Sequence, residues 1–408
     1  MSKSAAPPTG ALSHVRVLDL SRVLAGPWCA QMLGDLGADV IKVENPDGGD
    51  DTRGWGPPFV KDAGGEDTDA AYYLCANRNK RSIAVNLRDP DGQALIRELA
   101  AQSDVVIENF RAGALKRYGL DYESLRAVRE DLIYCSITGF GHTGPEADTP
   151  GYDFLIQAMG GLMSVTGEDH PMKVGVPAAD LFTGVYAASA VMAALIARDQ
   201  GLGGQHIDMA LYDTQLAMLA NQAENALVSG GAPGRMGNRH PNIVPYQDFR
   251  TSDGVLAVAV GADRQFKRLA EALGRPDWAA DPDYATNAAR VNNRDRLVTE
   301  IQSVLETDET EAWRKRIAAA GVPCGPVRDI AQALASDQAR ARGLVVELER
   351  GDGARAPVVA SPMRLSRTPP AYEAAPPALG AHTREVLRER LGWSENRINA
   401  LFRGGVIA

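Results

Sequence analysis

The chain has 408 residues, of which 45% are hydrophobic and 23% are charged. This length and composition are typical of a globular protein with two or three domains and a large core. The formal net charge is −9, whereas a dedicated nucleic-acid binder usually carries a basic domain. We therefore expect a globular protein without a nucleic-acid partner.

The four cysteines, Cys29, Cys75, Cys135 and Cys324, lie far apart and form no CxxC pair. Their spacing supports neither a metal site nor a disulfide framework, so we expect reduced thiols, a cytoplasmic location and no metal. Residues 1–13 lack the apolar stretch of a signal peptide. The most apolar window, 181–197, is short and rich in alanine, so we expect a packed core helix and no membrane span.

Strands and helices are predicted to alternate along the first 140 residues. Apolar runs predict buried strands at 15–20, 38–44, 81–85, 104–108 and 132–137. Helices are predicted at 28–36, where Gly37 ends the helix, and at 89–102. This alternation predicts an α/β fold with a Rossmann-like, doubly wound parallel sheet and right-handed crossovers.

The pattern changes after residue 150. Residues 152–229 are predicted to be mainly helical, and 229–241 is a loop by its glycine content. A strand is predicted at 255–260, followed by helices. We expect a large Rossmann-like domain formed by 1–225 and 326–408, and a second, smaller α/β domain at 226–325.

The turn after the first strand bears on cofactor binding. Between Ser21 and Pro27 it contains one glycine, Gly26, where the dinucleotide fingerprint GxGxxG needs three. An NAD-dependent enzyme is therefore the disfavoured alternative. A mononucleotide-like ligand across the strand ends is still expected, because open α/β sheets bind ligands there.

Two basic clusters flank predicted strands. The first comprises Arg78, Lys80 and Arg81, with Arg88 close behind, and the second comprises residues 111–117. Such clusters are usually solvated surface. They would instead bind phosphate groups if the fold brought them together, a role that suits arginine geometry. The sequence leaves both interpretations open.

Two further segments contain candidate catalytic residues. The glycine-rich loop at 138–145 would allow close approach to a ligand, and its His142 is a candidate general base. Asp180 stands at the start of the apolar helix, where it is either a helix cap or a carboxylate nucleophile. No HExxH or GxSxG motif occurs, so neither metal-dependent nor serine hydrolysis is supported.

Taken together, these segments resemble the class III CoA-transferase family, of the formyl-CoA transferase and carnitine CoA-transferase type. The matches follow the family order over nearly the whole chain. They lie at 17–21, 25–27, 37–44, 49–53, 79–83, 106–113, 136–141, 180–184, 321–326 and 379–383. The resemblance implies an interlocked homodimer that uses coenzyme A as a co-substrate and holds no permanent cofactor.

The resemblance also implies roles for individual residues. Asp180 matches the nucleophile that attacks an acyl-CoA and then carries CoA as an aspartyl thioester. We expect the helix start to hold this carboxylate ionised. The positions that match CoA contacts are Val23, Leu24, Ala25, Arg88, Asn109, Phe110, Arg117, Tyr118, Thr138 and Gly139.

Departures from the family pattern narrow the function. Leu24, Asn45 and Thr138 stand where formyl-CoA transferase has Gln, Arg and Lys, so a formyl or oxalate substrate is not expected. The extended glycine run that closes over the intermediate is absent, and the loop at 229–241 is the nearest candidate for a lid. A non-catalytic acyl-CoA binder is also conceivable, but the intact Asp180 argues against it.

Two subgroups of the superfamily differ from each other at positions that this chain contains. The α-methylacyl-CoA racemases pair the aspartate with a His, and this chain has Tyr152 there, so racemisation is the disfavoured alternative. The segment at 49–59 is similar to members that use succinyl-CoA and short dicarboxylates. A second substrate carboxylate needs a cation, and the candidates are Arg53, Arg235, Arg239 and His240.

Overall fold

The structure is a computed structural model that describes residues 10–408. The expectation about a signal peptide falls mostly on residues 1–9 and so lies outside the described chain. The chain forms two compact units. The large unit comprises 10–162, Val174–Val228 and Gln338–Ala408, and the small unit comprises Met163–Lys173 and Ser229–Asp337. The small unit thus includes two segments, 163–173 and 326–337, that the sequence assigned to the large domain.

The strands, in chain order, are β1 (Arg16–Asp19), β2 (Asp39–Glu44), β3 (Phe59–Lys61), β4 (Asp67–Ala70), β5 (Lys80–Ala84), β6 (Val105–Glu108), β7 (Ile133–Thr138), β8 (His206–Ala210), β9 (Tyr246–Arg250), β10 (Val255–Ala259), β11 (Cys324–Pro326), β12 (Val345–Glu349) and β13 (Arg355–Val359).

The α-helices, in chain order, are α1 (Ala25–Asp35), α2 (Ala71–Leu74), α3 (Pro90–Ala100), α4 (Tyr122–Arg126), α5 (Asp153–Met159), α6 (Leu162–Val165), α7 (Ala178–Ala197), α8 (Leu211–Met218), α9 (Ala220–Ser229), α10 (Asp263–Ala272), α11 (Asn287–Asn292), α12 (Arg294–Leu305), α13 (Thr310–Ala319), α14 (Ile330–Leu334), α15 (Asp337–Ala341), α16 (Thr383–Leu391) and α17 (Glu395–Arg403).

A six-stranded sheet in the order β5-β2-β1-β6-β7-β8 forms the centre of the large unit. All of its neighbouring strands pair in parallel. The predicted α/β fold with a large parallel sheet is therefore confirmed. The strand order reverses direction between β1 and β6, and ligands of open α/β sheets bind outside the carboxyl ends of the strands at such a point.

Helices cover both faces of this sheet because alternate strand residues point to opposite sides. Val17 packs in the core cluster that contains residues of α1 and α7. Its neighbour Leu18 packs in the cluster that contains residues of α3, α16 and α17. The C-terminal helices thus complete the large unit, and an antiparallel bridge between Val85 and Ile407 ties the chain end to the sheet edge.

α7 lies close against α1. A Cβ atom at Gly184 would lie 2.7 Å from the carbonyl oxygen of Ala25 and 3.0 Å from the Cβ of Trp28. Only glycine therefore allows this approach, which brings the start of α7 to the first turn of α1. By length and composition α7 and the turn after it are apolar enough to cross a membrane. The inner face of α7 packs against the sheet, with Ala187, Ala188 and Val191 fully buried.

The small unit has its own core. β9, β10 and β11 form an antiparallel sheet in the order β11-β10-β9. Helices α10, α12 and α13 supply residues to one apolar cluster with this sheet, including Phe266, Leu297 and Trp313. The unit is therefore a separate α/β body with a hydrophobic core of its own.

Candidate active site

Two connected clefts lie in the large unit at the carboxyl edge of the sheet. Cleft A has a volume of about 520 Å³ and cleft B about 740 Å³. Arg22, Phe110, Ala114 and Arg117 line both clefts. The two clefts therefore form one continuous path across the ends of β1, β2, β5, β6 and β7.

All of the candidate CoA-contact residues line this path. Those in cleft B are Val23, Leu24, Ala25, Asn109, Phe110, Arg117, Thr138 and Gly139. Those in cleft A are Arg88, Phe110, Arg117 and Tyr118. Asp180 lines cleft B. The fold thus brings together residues that are widely separated in the sequence, as the resemblance implies.

The loop between β1 and α1 has a fixed, strained shape. Val23 adopts a left-handed conformation with φ of 67°, which costs a non-glycine residue about 1–3 kcal/mol. The Asp50 carboxylate accepts hydrogen bonds from the Val23 N–H at 3.2 and 3.3 Å. The Asn109 amide accepts from the Arg22 N–H at 2.8 Å and donates to the Arg22 carbonyl at 2.6 Å. The side-chain oxygen and nitrogen of Asn109 therefore both hydrogen-bond to the backbone of Arg22, and these bonds fix the shape of the loop.

A buried ion pair supports the same loop. The Lys42 Nζ donates to Asp50 Oδ2 at 2.8 Å and to the Ser21 carbonyl at 2.9 Å, and both charged side chains are fully buried. Burial opposes ionisation of Asp50, but the charge and hydrogen bond of Lys42, with bonds from Thr52, lower the pKa of Asp50 to about 2. The pair is therefore ionised at neutral pH.

A second buried pair lies beside the first. Lys80 Nζ donates to Asp19 Oδ2 and to the Pro27 carbonyl, both at 2.9 Å. Burial lowers the pKa of Lys80 to about 8, although the charge of Asp19 offsets part of this effect. The two lysines thus hold the chain at Ser21 and at Pro27, on either side of the loop that lines cleft B.

The first basic cluster does not reach the clefts. Arg78 forms an ion pair with Asp35, and Arg81 with Asp39; Lys80 is the buried partner of Asp19. The hypothesis that this cluster binds phosphate is therefore wrong for these three residues. Arg88 and Arg117 line the clefts and have no acidic partner within residues 10–408.

His142 does not line either cleft. Its backbone N–H donates to Asp208 at 3.0 Å, and its ring packs edge-on against His206. No histidine from the described chain lines cleft A or cleft B. His142 therefore lacks the position that a general base on the candidate path would need.

Asp180 does not cap its helix. It is the third residue of α7, and no side chain of α7 caps the helix. The Asp153 Oδ1 accepts hydrogen bonds from the backbone N–H groups of Ala179 at 2.8 Å and Asp180 at 3.4 Å. The Asp180 carboxylate has no hydrogen-bond or ion-pair partner among the residues described, so the helix-cap interpretation is wrong.

The electrostatics of Asp180 differ from the expectation of a helix-stabilised anion. Burial, with a smaller contribution from the negative charge of Asp153, raises the pKa of Asp180 to about 7. The expectation fails first because Asp180 is buried, and second because the N–H groups at the helix start bond to Asp153, whose charge repels that of Asp180. Burial and then the charge of Asp180 raise the pKa of Tyr72 to about 12, so the Tyr72 hydroxyl lies within reach of this carboxylate's field.

Tyr72 lies beside the site, behind Trp55, and the sequence did not single it out. Its ring packs edge-on against Trp55, with ring centres 5.3 Å apart, and Trp55 lines cleft B. Two adjacent tyrosines, Tyr72 and Tyr73, look alike in the sequence, and only the fold separates them. Tyr73 is fully buried and accepts a hydrogen bond from Arg53.

A close backbone contact shapes the wall of cleft B. A Cβ atom on Gly139 would lie 2.6 Å from the Cα of Gly151, and one on Gly151 would lie 2.4 Å from the Cα of Gly139. The two ends of the loop 139–151 therefore touch. Tyr152 and Asp153, which follow this contact in the chain, lie at the start of α5, and Asp153 contacts the start of α7.

Arg53 cannot serve as the cation for a second substrate carboxylate. Its guanidinium is buried and bonds to Glu44, Asp69 and the Tyr73 hydroxyl at 2.6–2.8 Å. That expectation is therefore wrong for Arg53. Arg53 also lines neither cleft. Among the arginines that line cleft B, Arg22 pairs with Asp51, Arg111 donates to the Asp148 carbonyl at 3.0 Å, and Arg117 has no acidic partner in the described chain.

The comparisons with known proteins agree on one family. The model of CoA-transferase family III matches residues 12–383, and the chain belongs to this family. The NAD-dependent alternative is therefore set aside. A succinate–glutarate CoA-transferase of Agrobacterium fabrum is 54% identical over 385 residues, covering 93% of this chain and 95% of the relative.

Other relatives extend the same result. The succinyl-CoA:glutarate CoA-transferase of Homo sapiens is 42% identical over 398 residues, covering 97% of this chain and 90% of the relative. The crystal structure of a CAIB/BAIF family protein from Brucella suis matches with a TM-score of 0.84 and 47% identity. It covers 94% of this chain and 100% of that chain. The chain is therefore similar to CoA-transferases over nearly its whole length.

The buried pair beneath the loop gives a test of stability. Lys42→Met removes the ammonium group, so the buried Asp50 loses its counter-ion and the Ser21 carbonyl loses the hydrogen bond from Lys42. Breaking a buried ion pair from one side typically costs about 3–5 kcal/mol, and we expect that loss in the free energy of unfolding measured in urea. Lys61→Met is the control, because its pair with Asp67 is exposed and worth about 0–1 kcal/mol. Equal losses in the two variants would contradict the role given to Lys42.

Proposed function

We propose that this protein is a CoA-transferase that moves CoA between succinyl-CoA and a short dicarboxylate such as glutarate. The observation that carries the proposal is the unpartnered Asp180 carboxylate in cleft B, which continues into cleft A beside Arg88 and Arg117. The names of the relatives at 54% and 42% identity support this choice of substrates.

The proposed mechanism uses Asp180 as a nucleophile. Its carboxylate oxygen attacks the thioester carbonyl of the donor, the C–S bond breaks, and a mixed anhydride and CoA thiolate form. The thiolate attacks the aspartyl carbonyl, and the donor acid leaves from the anhydride. The resulting aspartyl-CoA thioester is attacked by the acceptor carboxylate, which releases the thiolate again. The thiolate then attacks the acceptor's acyl carbon and restores Asp180.

Asp180→Asn tests this mechanism, because an amide cannot form the anhydride. We expect CoA exchange between succinyl-CoA and glutarate to fall to background while the thermal melting point stays near that of the wild type. Hydroxylamine trapping after incubation with donor should label Asp180 in the wild type only. Asp213→Asn is the matched control, because Asp213 is the exposed third residue of α8 and lines neither cleft. Full activity of Asp180→Asn would rule the mechanism out.

Coenzyme A is proposed to lie along the two clefts, with its phosphates near Arg88 and Arg117. Both guanidinium groups are exposed and free of acidic partners in the described chain, so no internal ion pair has to break before a phosphate binds. Val23, Leu24 and Ala25 would contact the pantetheine arm through the backbone of the loop. The first turn of α1, which has no side-chain cap, offers backbone N–H groups to a developing oxyanion.

Arg88→Ala and Arg117→Ala test the phosphate assignment. Each charged hydrogen bond is worth about 1.5–3 kcal/mol, and about 1.4 kcal/mol corresponds to a factor of ten. We therefore expect KM to rise roughly tenfold or more for every acyl-CoA alike. Arg126→Ala is the control, because Arg126 is exposed on α4 outside the clefts. A change confined to one acyl group would argue against the assignment.

Arg111 is the proposed cation for the distal carboxylate of a dicarboxylate. It lines cleft B together with Asp180, and its guanidinium donates to the backbone carbonyl of Asp148 and forms no ion pair within residues 10–408. Arg22 lines the same cleft but already pairs with Asp51. A substrate carboxylate would thus meet an uncommitted positive charge at Arg111.

The substrate proposal is tested with acids of matched length. Wild-type kcat/KM should be about tenfold or more higher for succinate and glutarate than for butyrate and pentanoate, since a charged hydrogen bond discriminates by that amount. Arg111→Ala should remove most of this preference and leave the monocarboxylate values nearly unchanged. Equal values for the two sets of acids in the wild type would exclude the dicarboxylate preference and leave CoA transfer itself standing.

An interlocked homodimer in the cytoplasm is proposed as the working form. The outward face of α7 exposes Phe182, Val185 and Tyr186. Val185 also lines an apolar cavity of about 880 Å³ with Trp28 and Met32. A second chain would bury this surface. Sedimentation equilibrium at micromolar concentration should give twice the mass of one chain, and a stable folded monomer would exclude the dimer.

A further inference from the structure

Asp153 places a second carboxylate against the start of α7. It is the first residue of α5, and its Oδ1 accepts from the N–H groups of Ala179 and Asp180 at 2.8 and 3.4 Å. Its Oδ2 accepts from Gln157 Nε2 at 2.7 Å. Gln157 is fully buried and also accepts from the Val174 N–H at 2.8 Å. Both oxygens of Asp153 are therefore fixed in place.

The contact between Asp153 and α7 changes the environment of Asp180. Backbone N–H groups at a helix start normally stabilise a nearby anion. Here Asp153 uses those groups, so Asp180 gains little from its position in the first turn. Asp180 also faces a like charge, which disfavours its ionised form. The geometry thus removes a stabilising partner from Asp180 and adds a repelling one.

We propose that Asp153 is a positioning residue that orients the start of α7 and, by binding its N–H groups and placing a negative charge beside Asp180, makes Asp180 a stronger nucleophile. The inference rests on the proposed role of Asp180 as nucleophile. A more basic oxyanion is a better nucleophile, as is known for thiolates. Asp153 would therefore raise the reactivity of Asp180 towards a thioester without touching the substrate.

Within the described chain, Asp153 is the charged group that raises the pKa of Asp180 in addition to burial. Tyr72 on α2 has its pKa raised to about 12, first by burial and then by the charge of Asp180. On α1, Asp35 pairs with Arg78 at the far end of the helix. α8 carries the exposed Asp213. Cleft B carries further charged side chains, namely Arg22, Asp51, Arg111, Arg117 and Asp148.

The pH dependence of wild-type activity follows from the upward shift of the pKa of Asp180. The nucleophile must be deprotonated, so kcat/KM for succinyl-CoA should rise with pH through about 7, in line with the raised pKa of Asp180, and reach a plateau above it. Burial and the charge of Asp153 both raise this pKa, and removing the charge alone should lower it.

Asp153→Asn tests the inference, because asparagine keeps the oxygen that accepts from Ala179 and loses the charge. We expect the acid limb of the kcat/KM profile to move to lower pH by about one unit and the plateau to fall severalfold. Asp153→Glu keeps the charge and should keep the limb near pH 7. Asp213→Asn controls for a charge change on a neighbouring helix and should not move the limb.

A direct titration separates this inference from the proposed function. Carbon-13 NMR of aspartate-labelled protein, with the Asp180 signal assigned from Asp180→Asn, reports ionisation without any CoA transfer. A lower pKa of Asp180 in Asp153→Asn supports the inference even if the chain transfers CoA between other acids. The inference would be overturned by an unchanged pKa of Asp180 in Asp153→Asn, or by a shift of the acid limb of the kcat/KM profile to lower pH in Asp153→Glu. Either result would leave Asp153 as a structural cap alone.

Discussion

The shape of the candidate active site depends on the buried ion pair between Lys42 and Asp50. Two charges removed from water are tolerated only when their remaining hydrogen-bonding capacity is satisfied. Here the backbone groups of Ser21, Val23 and Thr52 satisfy it. The pair is thereby tied to the loop that lines cleft B, and it offsets the strain of the left-handed Val23. The loop is consequently formed before any ligand binds.

The position of Asp180 follows from the same loop through helix packing. α1 begins where the loop ends, and α7 lies against the first turn of α1 because Gly184 has no side chain there. Asp153 fixes the start of α7 from the other side. A reactive group on a helix held at two points is placed more accurately than one on a free loop. The packing of α7 against α1 and the contact with Asp153 therefore hold the Asp180 carboxylate in place without a hydrogen bond from the described chain to its own oxygens.

Much of the fold could be predicted because parallel strands buried on both faces appear as continuous apolar runs. The run at 38–44 became β2 (Asp39–Glu44) and the run at 104–108 became β6 (Val105–Glu108). The short strands β3, β4, β12 and β13 were not predicted individually, since each is a partly exposed hairpin arm. The role proposed for Asp180 follows from the order of the family motifs, because its local sequence alone favours a helix cap.

The sequence could not separate structural charges from binding charges. Arg78 and Arg81 look as suitable for phosphate binding as Arg88, but their acidic partners come from α1 and β2. Arg53 is likewise committed to Glu44 and Asp69, which lie 9 and 16 residues away in the sequence. Such pairings depend on tertiary contacts, which no local spacing reveals. A cation becomes a credible ligand group only after its internal partners are known, which is why the cation proposed for the second carboxylate is Arg111 and not Arg53.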